Sequence, residues 1–165
     1  MIDLLVDTNV LIHLLHPTGK AEAGLTRQLL DWDRAGHIRI VAAAASGNEQ
    51  GRSTQQLLSE LESLGLSADR IVDITDRSER LLNEISAVLG HRKAGDWLDA
   101  LMVYTALDRV QHGHETWLVT GDRNILRHAK FLEVLTPLPI LSLRAVVNKL
   151  KESFPLTIMR KRNHA

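Results

Sequence analysis

Five acidic residues stand where apolar runs give way to helix-start signals: Asp7 in LLVDTNVLI, Glu49 in SGNEQ, Asp96 and Asp99 in AGDWLDALMVYTAL, and Asp122 in TWLVTGDRNIL. An acid at the carboxyl end of a buried strand lies in the crevice where open parallel sheets take their ligands. Carboxylates converging there suit hard divalent cations, Mg²⁺ or Mn²⁺, which activate water and neutralise phosphodiester charge. Each acid taken singly also has a structural explanation, because an acid at a helix start caps free N–H groups and complements the helix dipole. Asp7 follows Leu4, Leu5 and Val6 on a run that reads as buried on both faces, where an unpaired carboxylate is costly to desolvate and a cation would offset that cost. Asp96 and Asp99 lie three apart and share one helix face; Asp96, directly after Gly95, also reads as an N-cap. Glu49 follows the turn-and-cap signature Ser46-Gly47-Asn48, and Asp122 sits in the turn-like Gly121-Asp122-Arg123-Asn124.

The elements that must position these acids alternate between two periods. Ile2 to Val6, Ile38 to Val41 and Thr116 to Val119 read as strands, with shorter extended segments at Ile71 to Ile74, Leu132 to Leu135 and Ile140 to Leu141. Helices are expected at Val10 to Leu15, Lys20 to Arg34, Asn48 to Leu64, Asp76 to Leu89, Asp96 to Gln111 and Leu143 to Phe154. The helix from Asp96 is the most apolar and is expected to pack centrally. Strands alternating with helices predict an α/β fold, a three-layer α/β/α sandwich around a mostly parallel sheet. No repeat or linker divides the chain, so one domain is expected over residues 1–158. A basic flexible tail is expected over 159–165, where Arg160-Lys161-Arg162 would serve as a phosphate-contacting arm or as a solubilising end.

Size and charge narrow the function classes. The 165 residues, 44% of them hydrophobic, suit one core with a radius of gyration of about 15 Å. With no cysteine, a disulfide framework and a thiolate zinc site are both excluded, and the composition fits the cytoplasm. No apolar stretch approaches a membrane span, and no signal peptide is expected at Met1. Twenty basic and twenty acidic residues balance, so any contact with nucleic acid must come from local patches.

At these motifs the chain resembles the PIN-domain family of metal-dependent nucleases, which includes the ribonuclease toxins of toxin–antitoxin pairs. The matching segments are VDTNVLI, NE, DALMVYTAL and LVTGDRNIL, in that order, spanning roughly residues 2 to 145. The resemblance implies an acidic metal site of Asp7, Glu49, Asp99 and Asp122 with Asp96 as a fifth acid, oriented by Thr8, Asn9 and Thr120, with Asn124 beside it. The expected activity is endoribonucleolytic hydrolysis of RNA with Mg²⁺ or Mn²⁺, and the expected partners are RNA, an antitoxin protein and a second copy in a homodimer. The alternative is a catalytically weak PIN-like module that binds RNA or protein. Lys93, Arg92, Arg123 and Arg127 are the phosphate-contact candidates. The chain departs from the family pattern at Asn124, where many members carry another acid, and around Glu49, where Ala42 to Gly47 is smaller and more polar than usual and Gln50-Gly51 replaces an apolar position.

Other chemistries fit less well. His13 and His16, and likewise His112 and His114, lack the companions of a transition-metal site, although His13 lies close enough to Asp7 to border the cleft. Trp32, Trp97 and Trp117 read as packing residues rather than base-stacking platforms. There is no GxxxxGK[ST] loop and no GxGxxG after a strand. Asp7-Thr8-Asn9 lacks the second aspartate of a haloacid dehalogenase-type phosphatase, and LVTGDRN lacks the lysine of a receiver domain.

Overall fold

The computed structural model describes residues 1–44, 53–90 and 94–154, with 94–96 described in backbone only. Glu49, Arg92, Lys93, the tail from Met159 and the side chain of Asp96 therefore lie outside what is described, as does the expected boundary after residue 158.

Five strands form one sheet: β1 (Ile2–Val6), β2 (Ile38–Ala43), β3 (Ile71–Val72), β4 (Thr116–Val119) and β5 (Ile140–Leu141). Their order is β3-β2-β1-β4-β5 and every pairing is parallel. Parallel neighbours need crossovers, supplied here by helices on both faces of the sheet. The helices are α1 (Thr8–Leu15), α2 (Gly19–Arg34), α3 (Thr54–Ser63), α4 (Glu79–Val88), α5 (Ala94–Gln111), α6 (Arg123–Arg127), α7 (Ala129–Leu135) and α8 (Leu143–Ser153). On one face Leu4, Val6, Ile38 and Ile40 pack with Leu11, Leu29, Trp32 and Val147; on the other Leu5, Val41 and Leu118 pack with Leu82, Val103 and Leu107. The expected α/β/α sandwich is the fold observed, and the apolar runs of β1, β2 and β4 are continuous because both faces are covered.

α5 runs antiparallel to the strands. Near its carboxyl end the Arg109 guanidinium meets Asp3 on β1 at 2.5 Å, with both side chains largely buried. Asp108, also buried, accepts from the backbone N–H groups of Thr75 and Asp76 at 2.9 and 3.3 Å. His112 bonds its Nδ1 to the Asp108 carbonyl and its Nε2 to Asp76, and these two contacts hold its pKa above the usual histidine value. Ten residues of helix separate Arg109 from Asp99, about 15 Å of rise, while Asp3 to Asp7 covers about 13 Å of strand. The pair Arg109–Asp3 thus fixes the height of α5 against β1, and with it the height of Asp99 along the sheet.

Four expectations need correction. α3 begins at Thr54, inside the helix expected from Asn48 to Leu64, because Ser53 is extended and caps the Gln56 N–H at 3.1 Å. Leu132 to Leu135 is the end of α7, not a strand: in this short window Ala129, Lys130, Leu132 and Glu133 favour helix, and only Leu132 turns into the core, leaving Phe131, Val134 and Leu135 exposed. α4 begins at Glu79 rather than Asp76, because Ser78 caps Leu81 while the Asp76 carbonyl is taken by the Tyr104 hydroxyl at 2.6 Å. α5 begins at Ala94, which puts Asp96 in its first turn instead of at the cap.

Candidate functional site at the carboxyl edge of the sheet

The winding of the chain reverses between β1 and β4: from β1 it proceeds to β2 and β3 on one side, and β4 and β5 lie on the other. Such a reversal leaves a crevice at the carboxyl ends of the two central strands. Val6 and Val119 are register partners, and the Asp7 N–H donates to the Val119 carbonyl at 3.1 Å, so Asp7 and Thr120 emerge side by side.

Asp7 is the N-cap of α1. Its Oδ1 accepts from the Val10 N–H at 2.9 Å, and its Oδ2 accepts from the Thr120 hydroxyl. That hydroxyl oxygen in turn accepts the Asp122 N–H at 3.0 Å. Asp122 caps α6 through Oδ1, which takes the Ile125 N–H at 2.9 Å, and its other oxygen has no protein partner among the described residues. Asp7 and Asp122 thus act both as caps and as one linked pair, joined through a fully buried threonine. Asp99 is half-buried on α5.

The supporting residues divide. The Thr8 hydroxyl is buried at the start of α1 without a hydrogen-bond partner, and Asn9 is exposed. The Asn124 amide is committed to the Leu89 carbonyl at 2.8 Å, which ties α6 to the end of α4. Arg123 and Arg127 are exposed and carry no carboxylate partner among the described residues.

Among the described residues, no three His, Asp or Glu side chains gather tightly enough to enclose an ion. A closed cage is not what Mg²⁺ requires: it keeps several waters and is held by one or two carboxylates together with substrate phosphates. The oxygen-only donors at this edge suit that chemistry, and so does a buried threonine hydroxyl still lacking a partner.

On the other flank of Asp7 the edge opens into a pocket of about 400 Å³ between α1, α2, the β4–α6 turn and the start of α8. Its polar walls include Asn9, His13, Glu22, Thr120, Ser142 and Arg144. Glu22 is bonded to the Thr18 hydroxyl and to His13; these two contacts, the threonine first, hold its carboxyl below the usual range although desolvation pushes it up. The proximity of His13 to Asp7 in sequence hinted at this wall, but Glu22, Ser142 and Arg144 carry no sequence signal, because they arrive from separate segments.

Thr120→Val is expected to destabilise the protein by about 1–3 kcal/mol, since a same-shaped side chain without a hydroxyl strips a donor from a buried carboxylate and an acceptor from the Asp122 N–H. Thr120→Ser is expected to recover most of the loss. Denaturant midpoints of the two variants are the measurement, and equal stability of Thr120→Val and the parent would sink this account of the hub.

The fold and this edge define an open, all-parallel α/β domain with carboxylates at its topological switch point. No family model matches the chain, and no curated protein does. Among solved structures, the chain is similar to the crystal structure of VapBC2 from Rickettsia felis bound to a DNA fragment from their promoter. The TM-score is 0.50 at 16% sequence identity, and the match covers 86% of this chain and 98% of that one. At that identity the likeness shows a shared fold.

Proposed function

We propose that this protein is a Mg²⁺- or Mn²⁺-dependent endoribonuclease of the PIN type, the ribonuclease of a toxin–antitoxin pair. The observation that carries the reading is the Thr120 hydroxyl linking Asp7 to Asp122 at the switch point, because it brings two acids from distant parts of the chain to one edge. Resemblance at VDTNVLI, DALMVYTAL and LVTGDRNIL supports the same reading, as does the fold shared with VapBC2 from Rickettsia felis bound to a DNA fragment from their promoter. Asp7, Asp99 and Asp122 would hold the cation, with Glu49 and Asp96 sharing it or holding a second, and the cation would supply positive charge to the phosphodiester and acidify water.

The chain's own residues then do the positioning. The Val10 N–H and the Thr120 hydroxyl fix the plane of the Asp7 carboxylate, so it meets a ligand without paying rotamer entropy at that moment. Arg123 and Arg127, exposed on and after the turn bearing Asp122, would contact neighbouring phosphates; Arg92 and Lys93, outside the described residues, are the further candidates for such contacts. An antitoxin protein and a second copy of the chain in a homodimer are the proposed protein partners.

A second reading, a PIN-like module that binds RNA or protein without cutting it, is favoured by the Asp7 carboxylate, whose two oxygens are already engaged by the Val10 N–H and the Thr120 hydroxyl. Incubation with RNA in Mg²⁺, Mn²⁺, Ca²⁺ or chelator separates the two. Cleavage is expected in Mg²⁺ or Mn²⁺ and little in Ca²⁺, accompanied by a rise in thermal midpoint as metal binds the folded state. RNA binding without turnover would establish the binding module, and no midpoint shift at millimolar metal would count against the site altogether.

A further inference from the structure

We propose that the pocket beside Asp7 is a nucleobase subsite, which takes the base and ribose of the nucleotide adjoining the scissile phosphate. The inference rests on the nuclease reading and adds to it a place for the substrate outside the acidic edge. Four observations carry it. The pocket is continuous with that edge, because Asn9, Thr120 and Gly121 belong to its wall, and Thr120 is the residue bonded to Asp7. Its volume, about 400 Å³, lies within the range of pockets that bury a small organic ligand, and is more than a single side chain needs.

The lining is also of the right kind. Val10, Leu25 and Leu143 supply apolar wall against which a flat ring can lie, while Asn9, Ser142 and the Glu22–His13 pair supply donors and acceptors for its edge. The Glu22–His13–Thr18 bonds tie α1, the α1–α2 link and α2 together, so this side of the pocket is preorganised before anything binds. Finally, Arg144 stands on the wall with no carboxylate partner among the described residues, an uncommitted cation placed to meet a phosphate next to the one at the acidic edge. Apolar walls, a polar edge and one unpaired guanidinium beside a carboxylate edge together match a nucleotide better than an apolar peptide.

The test fills the pocket without touching the acids. Ala21 is exposed on α2 at the pocket wall, so Ala21→Trp inserts an indole where the base would lie with little risk to the core. Its kcat/KM on an RNA oligonucleotide is expected to fall tenfold or more, while hydrolysis of bis(p-nitrophenyl) phosphate, which has no base, changes less than twofold. In the wild-type protein, adenosine and cytidine 5′-monophosphate are expected to shift the His13 ring resonances at lower concentration than ribose 5-phosphate or inorganic phosphate, and Ala21→Trp is expected to abolish that preference. Equal response to all four probes would reduce the pocket to an anion site and overturn the proposal. Unchanged RNA cleavage with unchanged nucleotide binding in Ala21→Trp would overturn it as well. Should the wild type cleave neither RNA nor the aryl diester, the nuclease reading fails, and the resonance shifts alone decide whether the pocket takes a base. A pocket that ignores nucleotides while binding a peptide partner would likewise refute the subsite.

Discussion

Asp7→Asn is expected to lower metal-dependent RNA cleavage by on the order of 100-fold or more while leaving the fold in place, and Asp99→Asn is expected to do the same. Asparagine caps a helix about as well as aspartate, so the bond from the Val10 N–H to position 7 survives and α1 still starts where it does. What goes is the negative charge that would hold a cation. In the absence of metal, removing one of several like charges relieves repulsion, so apo Asp99→Asn is expected to melt no lower than the parent, whereas Asp7→Asn also loses the bond that its Oδ2 accepts from the Thr120 hydroxyl and is expected to melt somewhat lower. The stabilisation by Mg²⁺ or Mn²⁺ should shrink in parallel with activity. Near-parental cleavage by either variant, measured with metal and with chelator controls, would show that the residue changed is structural and no part of a metal site.

Arg109→Leu is expected to cost about 3–5 kcal/mol, because it leaves Asp3, largely buried on β1, without the guanidinium that faces it at 2.5 Å. Pairing the change with Asp3→Leu should recover much of that loss, since two apolar side chains of similar reach carry no charge to desolvate. The comparison also tests how α5 is registered against the sheet. The single variant frees the end of the helix that sets the level of Asp99, so metal-dependent activity is expected to fall in the variant even where it remains folded. A single variant as stable as the parent, by denaturant unfolding, would mean that the pair adds nothing to the register.

Much of the architecture is written locally. β1, β2 and β4 are legible because strands covered on both faces must be apolar throughout, and the acids that follow β1 and β4 are legible because Asp at those places caps the next helix. α7 is the counterexample. Seven residues with one inward leucine contain too few turns for a helical period to stand out from an alternating one, and packing of Leu132 settled the matter. The start of α4 was decided from a distance too, by Tyr104 of α5, whose hydroxyl donates to the Asp76 carbonyl that an earlier helix start would have used and accepts the Ser78 N–H.

The sequence by itself determined the class of fold and the places of Asp7 and Asp122 at the ends of strands and the starts of helices. These follow from periodicity and capping, which act over a few residues and leave their mark in residue type. Only the tertiary structure decided the strand order β3-β2-β1-β4-β5, which makes neighbours of Asp7 and Thr120 across more than a hundred residues of chain. It alone assembled Glu22, Ser142 and Arg144 into a pocket beside them. Side chains that meet only when α2, α8 and the β4–α6 turn come together share no local period, and each in its own segment reads as ordinary solvated surface.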